Sequence, residues 1–93
     1  MAYIPIDFEF YNSQEERPTL VCAAMGEETY WLFDEDHVEQ LKFDIYKHIK
    51  QGDIFVAYYA IAEARSFLSL QIDPMSAQWI DLYAEFKMQQ NCS

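Results

Sequence analysis

Asp7 and Glu9 stand two residues apart in Tyr3–Phe10, a stretch that alternates apolar and polar side chains. On an extended strand such residues leave the same face, roughly 6 to 7 Å apart along the chain. Two carboxylates at that spacing can share a metal site. Two-metal phosphoryl transfer asks for hard oxygen ligands on a rigid element, because two divalent cations roughly 3.5 to 4 Å apart must clamp the attacking and leaving oxygens of a phosphodiester. An acidic pair on a first, central strand meets that demand. The simpler reading is a half-wet strand that shows both acids to solvent. Asp81, near the end of a short strand-like run, is either a turn or cap residue ahead of Ala84–Gln89 or a carboxylate that approaches the same metals from a neighbouring position. His37 and His48 lie eleven positions apart on one helix. They share a face but stand about 16 Å apart, too far to hold one metal together.

The elements that must position these acids can be read from periodicity. In Tyr3–Phe10, Ile4, Ile6, Phe8 and Phe10 point one way and Tyr3, Pro5, Asp7 and Glu9 the other, which predicts a strand with one apolar face. A polar connection ending at Pro18 leads to a second strand, Thr19–Ala24. Met25-Gly26-Glu27-Glu28 gives a hairpin turn into a third, Thr29–Phe33. Asp34 suits a helix N-cap, Glu35, Asp36 and Glu39 suit the positive end of the helix dipole, and Val38, Leu41, Ile45 and Ile49 recur at helical spacing. This predicts a helix from about Glu35 to Lys50, stopped by Gly52. Ile54–Tyr59 reads as a buried strand, Ala60–Leu70 as a second helix, Gln78–Tyr83 as a short last strand and Ala84–Gln89 as a final helical turn or two. The fold class is α/β: a three-stranded antiparallel meander followed by α-β-α-β, in one domain over residues 1–93, which is how a ribonuclease H-like sheet opens.

Ninety-three residues, 52% of them hydrophobic and 17% aromatic, are enough for a packed core and exclude a disordered tail. Sixteen acidic against six basic residues give a net charge of −10, which opposes unaided attachment to phosphate backbones or anionic lipid. Nucleic acid contact would need metal ions or a basic partner. No apolar run approaches the roughly 20 residues of a membrane span, and the start of the chain lacks a signal-peptide pattern, so the expected location is cytoplasmic with no membrane partner. Cys22 and Cys92 are too sparse for a disulfide framework or a zinc site and are expected to be free thiols. Trp31, Trp79 and the tyrosines could stack on bases, although core packing accounts for most of them.

Ile6-Asp7-Phe8-Glu9 resembles the first motif of the DEDD 3′-5′ exonucleases, ribonuclease H-like proofreading domains in which Asp-x-Glu on the first strand binds the catalytic metals. Val56–Leu68 occupies the place of that family's second motif, and Glu63 falls on its metal-binding acid. Ala62-Glu63-Ala64-Arg65 with Trp79-Ile80-Asp81-Leu82-Tyr83 is similar to exonuclease segments of phage-type family A DNA polymerases. The family usually carries Asn near Tyr59, an aromatic at Ala62 and Asp at the position of Glu63; on its own pattern, Glu63 is equally the polar side of an alanine-rich helix. The resemblance covers nearly all 93 residues and corresponds to the N-terminal half of such a domain. It implies Mg²⁺ or Mn²⁺ as cofactor, with Asp7 bridging both metals, Glu9 binding one and holding the water, and Glu63 taking the outer metal. It implies single-stranded DNA 3′ ends as substrate. The third motif, a Tyr or His followed by a metal-binding Asp, is not found in these residues, so the chain alone is expected to bind metal weakly and to turn over poorly or not at all.

A different class of function fits the same composition. A small acidic domain can imitate the charge of DNA and occupy a partner's basic groove, and Glu15-Glu16, Glu27-Glu28 and Asp34-Glu35-Asp36 spread acids along the chain as a mimic requires. A truncated sheet would also leave an apolar face uncovered, which predicts a homodimer at micromolar concentration.

Overall fold

The computed structural model describes residues 1–11, 19–58 and 60–83. The expected connection over 12–18, Tyr59, the helical turn at Ala84–Gln89 and Cys92 lie outside the described residues. The elements run β1 (Tyr3–Tyr11), β2 (Thr19–Met25), β3 (Glu28–Trp31), α1 (Glu35–Lys50), β4 (Ile54–Ala57), α2 (Ala60–Ser69), a single 3₁₀ turn (Pro74–Ser76) and β5 (Gln78–Asp81). The five strands form one mixed sheet in the order β3-β2-β1-β4-β5, with β1–β2 and β2–β3 antiparallel and β1–β4 and β4–β5 parallel. This is an α+β domain.

Local chemistry accounts for most of the boundaries. The β2–β3 hairpin turns at Gly26, whose φ of +62° a residue with a Cβ adopts only at a cost. Asp34 caps α1 in extended conformation, its carboxylate accepting from the Asp36 N–H at 2.9 Å. At the other end Gly52, at φ +75°, takes the left-handed step that releases the chain into β4. Asp73 repeats the capping device ahead of Pro74, accepting from the Met75 N–H.

Strand ends are where the expectations from sequence need correction. The third, fourth and fifth strands end two residues earlier than Phe33, Tyr59 and Tyr83. Each is followed by a turn into a helix or capped segment, so the apolar run continues past the point where pairing stops. Beyond β3 the Asp34 N–H bonds to the Trp31 carbonyl, and beyond β5 the Asp81 carboxylate accepts from the Tyr83 N–H at 3.0 Å. The second helix likewise ends at Ser69, one residue early.

Both crossovers, β3 to β4 through α1 and β4 to β5 through α2, step across the sheet in the same direction between parallel strands. Right-handed connections therefore put both helices on one face. The core agrees: Ile6 and Phe8 of β1, Ala23 and Met25 of β2, Tyr30 of β3 and Phe55 and Ala57 of β4 pack with Leu41 and Ile45 of α1 and Phe67 of α2. Phe67 is its hub, with ring centroids 6.3 Å from Phe8, 5.6 Å from Phe55 and 4.9 Å from Trp79. Trp79 thus belongs to the core as expected, whereas Trp31 is 47% exposed.

Among the described residues no helix lies over the opposite face of the sheet. Tyr3, Pro5, Asp7 and Glu9 of β1, Ala24 of β2 and Trp31 of β3 are exposed there, beside the half-buried Ile54 and Val56 of β4 and Ile80 of β5. β2 carries one extra residue, Val21, between the pairs Glu9↔Cys22 and Phe10↔Leu20, a bulge that breaks the ladder next to Glu9. A polar latch closes the sheet's other end: Asp53 accepts from the Ala2 N–H at 2.8 Å and pairs with His48 Nδ1 at 2.8 Å, and the Ala2 carbonyl accepts from the Ile54 N–H. His37 Nδ1 accepts from the Trp31 N–H, so each histidine serves a local structural contact.

Candidate acidic site beside the end of β4

α2 places Glu63 one turn ahead of Phe67, and residues four apart on a helix share a face. Because Phe67 is locked into the core, Glu63 is carried down toward the sheet and is only 5% exposed. The reading of Glu63 as the wet side of an alanine-rich helix is therefore corrected; Arg65 is the exposed residue of that pair.

The sheet leaves a gap for the buried carboxylate. β1 pairs with β4 only through Tyr3↔Ile54, Ile4↔Phe55 and Pro5↔Val56, while β1 itself runs on to Tyr11. Past the end of β4 the Phe8 N–H is met by Glu63 Oε1 at 3.4 Å. The position lies beside the carboxyl end of β4, next to the part of β1 that runs on past their shared pairing.

Burial is the main force on this carboxyl group and pushes its pKa up to about 7; the Phe8 N–H pulls the other way, and repulsion from Asp7 and then Asp81 adds to the rise. Glu63 is thus within electrostatic reach of one acid on β1 and one at the end of β5. Asp81 sits opposite Ala57 in the β4–β5 register, and its Oδ1 also holds the Tyr83 N–H. The bond to the Tyr83 N–H is that of a turn or cap residue, the simpler of the two readings of Asp81.

Asp7 and Glu9 occupy the open face, as the alternation requires, and both are exposed. Glu63 comes from the helix-covered side and reaches the edge of β1 through the gap. Among the described residues no three His, Cys, Asp or Glu side chains lie close enough together to hold one metal ion. The structure brings Glu63 toward Asp7 and Asp81, and it does not gather Asp7, Glu9 and Glu63 into a three-ligand group. The donor set itself, carboxylate oxygens on a strand with a buried carboxyl group alongside, is of the hard kind that Mg²⁺ and Mn²⁺ take. A carboxyl group held half-protonated at neutral pH by burial and like charge is what a divalent cation would relieve.

Two features of this region were not visible in the sequence. One is the burial of Glu63, which the uniform Ala pattern of α2 hides. The other is an aromatic pair at the ends of β4 and β5, Tyr58 and Tyr83, with ring centroids 5.8 Å apart. No helix among the described residues is long and apolar enough to cross a membrane. Comparison with protein-family models, curated proteins and solved structures finds no match to this chain.

Proposed function

We propose that this chain is the N-terminal half of a metal-dependent DEDD-type 3′-5′ exonuclease domain of ribonuclease H-like fold, similar to the proofreading domains of phage-type family A DNA polymerases. The observation that carries the reading is the Glu63 carboxyl group, hydrogen-bonded to β1 at Phe8 beside the end of β4, its pKa pushed up by burial first and then by Asp7 and Asp81. The sheet order β3-β2-β1-β4-β5 with β2 alone reversed supports it. Cation binding would have to draw Asp7, Glu9 and Glu63 together, since they are not gathered in the cation-free chain, and Mg²⁺ or Mn²⁺ so held would supply Lewis-acid activation of a phosphodiester. Asp7 and Glu9 present charge on the open face, where a single-stranded DNA 3′ end could approach, and Glu63 takes up or gives up a proton as cations leave or arrive. A net charge of −10 makes DNA contact dependent on those cations. Without the third motif's acid and water-orienting residue, turnover by these 93 residues alone is weak or nil.

The test is a Mg²⁺ or Mn²⁺ titration followed by thermal shift, on the wild type and Asp7→Ala. Saturable stabilisation that disappears in the variant supports the reading, and an equal response in both overturns it.

A second reading, an acidic binding or inhibitory protein that imitates DNA, draws support from a separate observation. Glu27, Glu28, Asp34, Glu35, Asp36 and Glu39 are all exposed, at the hairpin turn and the start of α1. A mimic would bind a basic partner without cations and would be insensitive to Asp7→Ala. On either reading the uncovered sheet face, with Val56, Ile80 and Trp31 on it, favours a homodimer.

A further inference from the structure

The outer surface of α1 is divided in sign. Its first half shows Asp36 and Glu39 to solvent and its second half Lys47 and Lys50, while between them Phe43 is 66% exposed and Tyr46 48%. Two large rings one turn apart are not what the wet side of an amphipathic helix carries. Asp36, Glu39, Phe43, Tyr46 and Lys50 recur at steps of three, four, three and four, the spacing of a seam along which one helix packs on another. Among the described residues none of the four charges is engaged in an ion pair of its own chain. Phe43, Tyr46 and the two lysines line a shallow hollow on the helix surface.

The stripe is its own complement. Counted outward from Phe43, Asp36 and Lys50 lie seven residues away on either side, and Glu39 and Lys47 four. A two-fold axis at Phe43 therefore lays a second α1 antiparallel on the first, with the two Phe43 rings at the centre, Asp36 facing the partner's Lys50 and Glu39 within reach of the partner's Lys47. Parallel pairing in register would set like charge on like. We infer that this face of α1 is a contact between two copies of the chain, each covering the other's stripe. It is separate from the sheet face that carries Val56 and Ile80, because α1 packs on the other side of the sheet. The seam from Asp36 to Lys50 is about 21 Å long, which puts the contact at the small, transient end of interface sizes. Charge here fixes orientation and register more than it adds affinity.

The experiment is sedimentation equilibrium of the full chain carrying Val56→Lys, which closes the sheet face. It runs up to roughly 500 micromolar in about 0.1 M salt, where exposed charges more than about 10 Å apart are largely screened. This parent is expected to dimerise with a dissociation constant of about 100 micromolar. Phe43→Ala should weaken the dimer at least about tenfold. So should the pair Lys47→Glu and Lys50→Glu, and the pair Asp36→Lys and Glu39→Lys, since each sets like charges across the seam. An equimolar mixture of those two double variants should associate about as well as the parent. The basic variant separates the contact from general repulsion: it reduces the net charge of −10, so association governed by overall charge would strengthen where the seam requires loss. Far-UV circular dichroism checks that each variant is folded; Glu39→Lys alone replaces the basic pair if that does not fold, and the otherwise unaltered chain replaces the Val56→Lys parent on the same condition. A parent that stays monomeric throughout, a mixture no tighter than its components, or a basic variant that associates more tightly than the parent overturns the contact.

Discussion

Glu63 Oε1 and the Phe8 backbone N–H, 55 residues apart in sequence, meet at 3.4 Å in a buried gap of the sheet. Through that contact an acid on the second helix becomes the neighbour of an acid on the first strand. Folding takes Glu63 from its ordinary value of 4.5 to about 7. The folded state thus binds the proton more tightly than the unfolded chain does, and Glu63 lowers stability progressively as pH rises from about 4.5 to about 7, with the full penalty present above. Glu63→Gln should accordingly be near neutral at pH 5 and stabilising by up to about 3 kcal/mol at pH 8. Urea denaturation of both proteins at the two pH values checks this; a variant less stable than wild type at pH 8 contradicts it.

Proton and cation compete for the same carboxylate if the metal reading holds. Apparent Mg²⁺ or Mn²⁺ affinity should then rise about tenfold between pH 6 and pH 8, following the ionised fraction of a group with pKa about 7. Calorimetry in buffers of different ionisation enthalpy should register the released proton. Asp7→Asn should bring Glu63 part of the way back toward the ordinary carboxylate range, since burial, the larger cause, remains. An NMR titration of the Glu63 side chain would show this directly, and an unmoved midpoint would count against contact between the two acids.

Asp53 behaves in the opposite sense. The hydrogen bond from His48, and after it that from the Ala2 N–H, hold its pKa below the ordinary value of 3.8 against the desolvation that would raise it. Its contribution to stability is present above about pH 4 and is lost as pH falls through the depressed folded value. Asp53→Asn should be less stable than wild type at pH 6 and should lose less on going to pH 3. Melting temperatures at the two pH values decide the matter.

Phe67→Ala removes the hub of the aromatic cluster and the anchor that carries Glu63 down to the sheet. A cost of about 3 to 5 kcal/mol is expected. For a domain of this size that is a large share of the total, and guanidinium unfolding should show a much earlier midpoint.

Sedimentation at micromolar concentration should give a homodimer, and Val56→Lys on the uncovered face should return it to monomer. A wild type that sediments as a clean monomer removes the self-association inference.

Much of the fold was legible because its signals are local. The alternation of Ile4, Ile6, Phe8 and Phe10 fixes which face of β1 is covered, and Asp34 with Gly52 brackets α1 to the residue. Strand ends were less legible, since an apolar side chain such as Phe33 or Tyr58 continues a pattern after hydrogen bonding has stopped. The acids divide the same way. Asp7 and Glu9 lie on one exposed face because period two allows nothing else, whereas the burial of Glu63 depends on Phe67 finding Phe8, Phe55 and Trp79 from three different strands. Its coupling to Asp81 depends further on the register that sets Ala57 opposite Asp81, a long-range fact that no local window contains.

Ala2 gives its N–H to Asp53 and its carbonyl to the Ile54 N–H, so the second residue is a fastened part of the sheet, while Met1 is 81% exposed. Lengthening the protein at that terminus, with a purification tag for instance, leaves both bonds available. Trimming two residues would undo the clasp between the meander and the βαβ half, and would loosen from its far end the rail along which Asp7 is aligned.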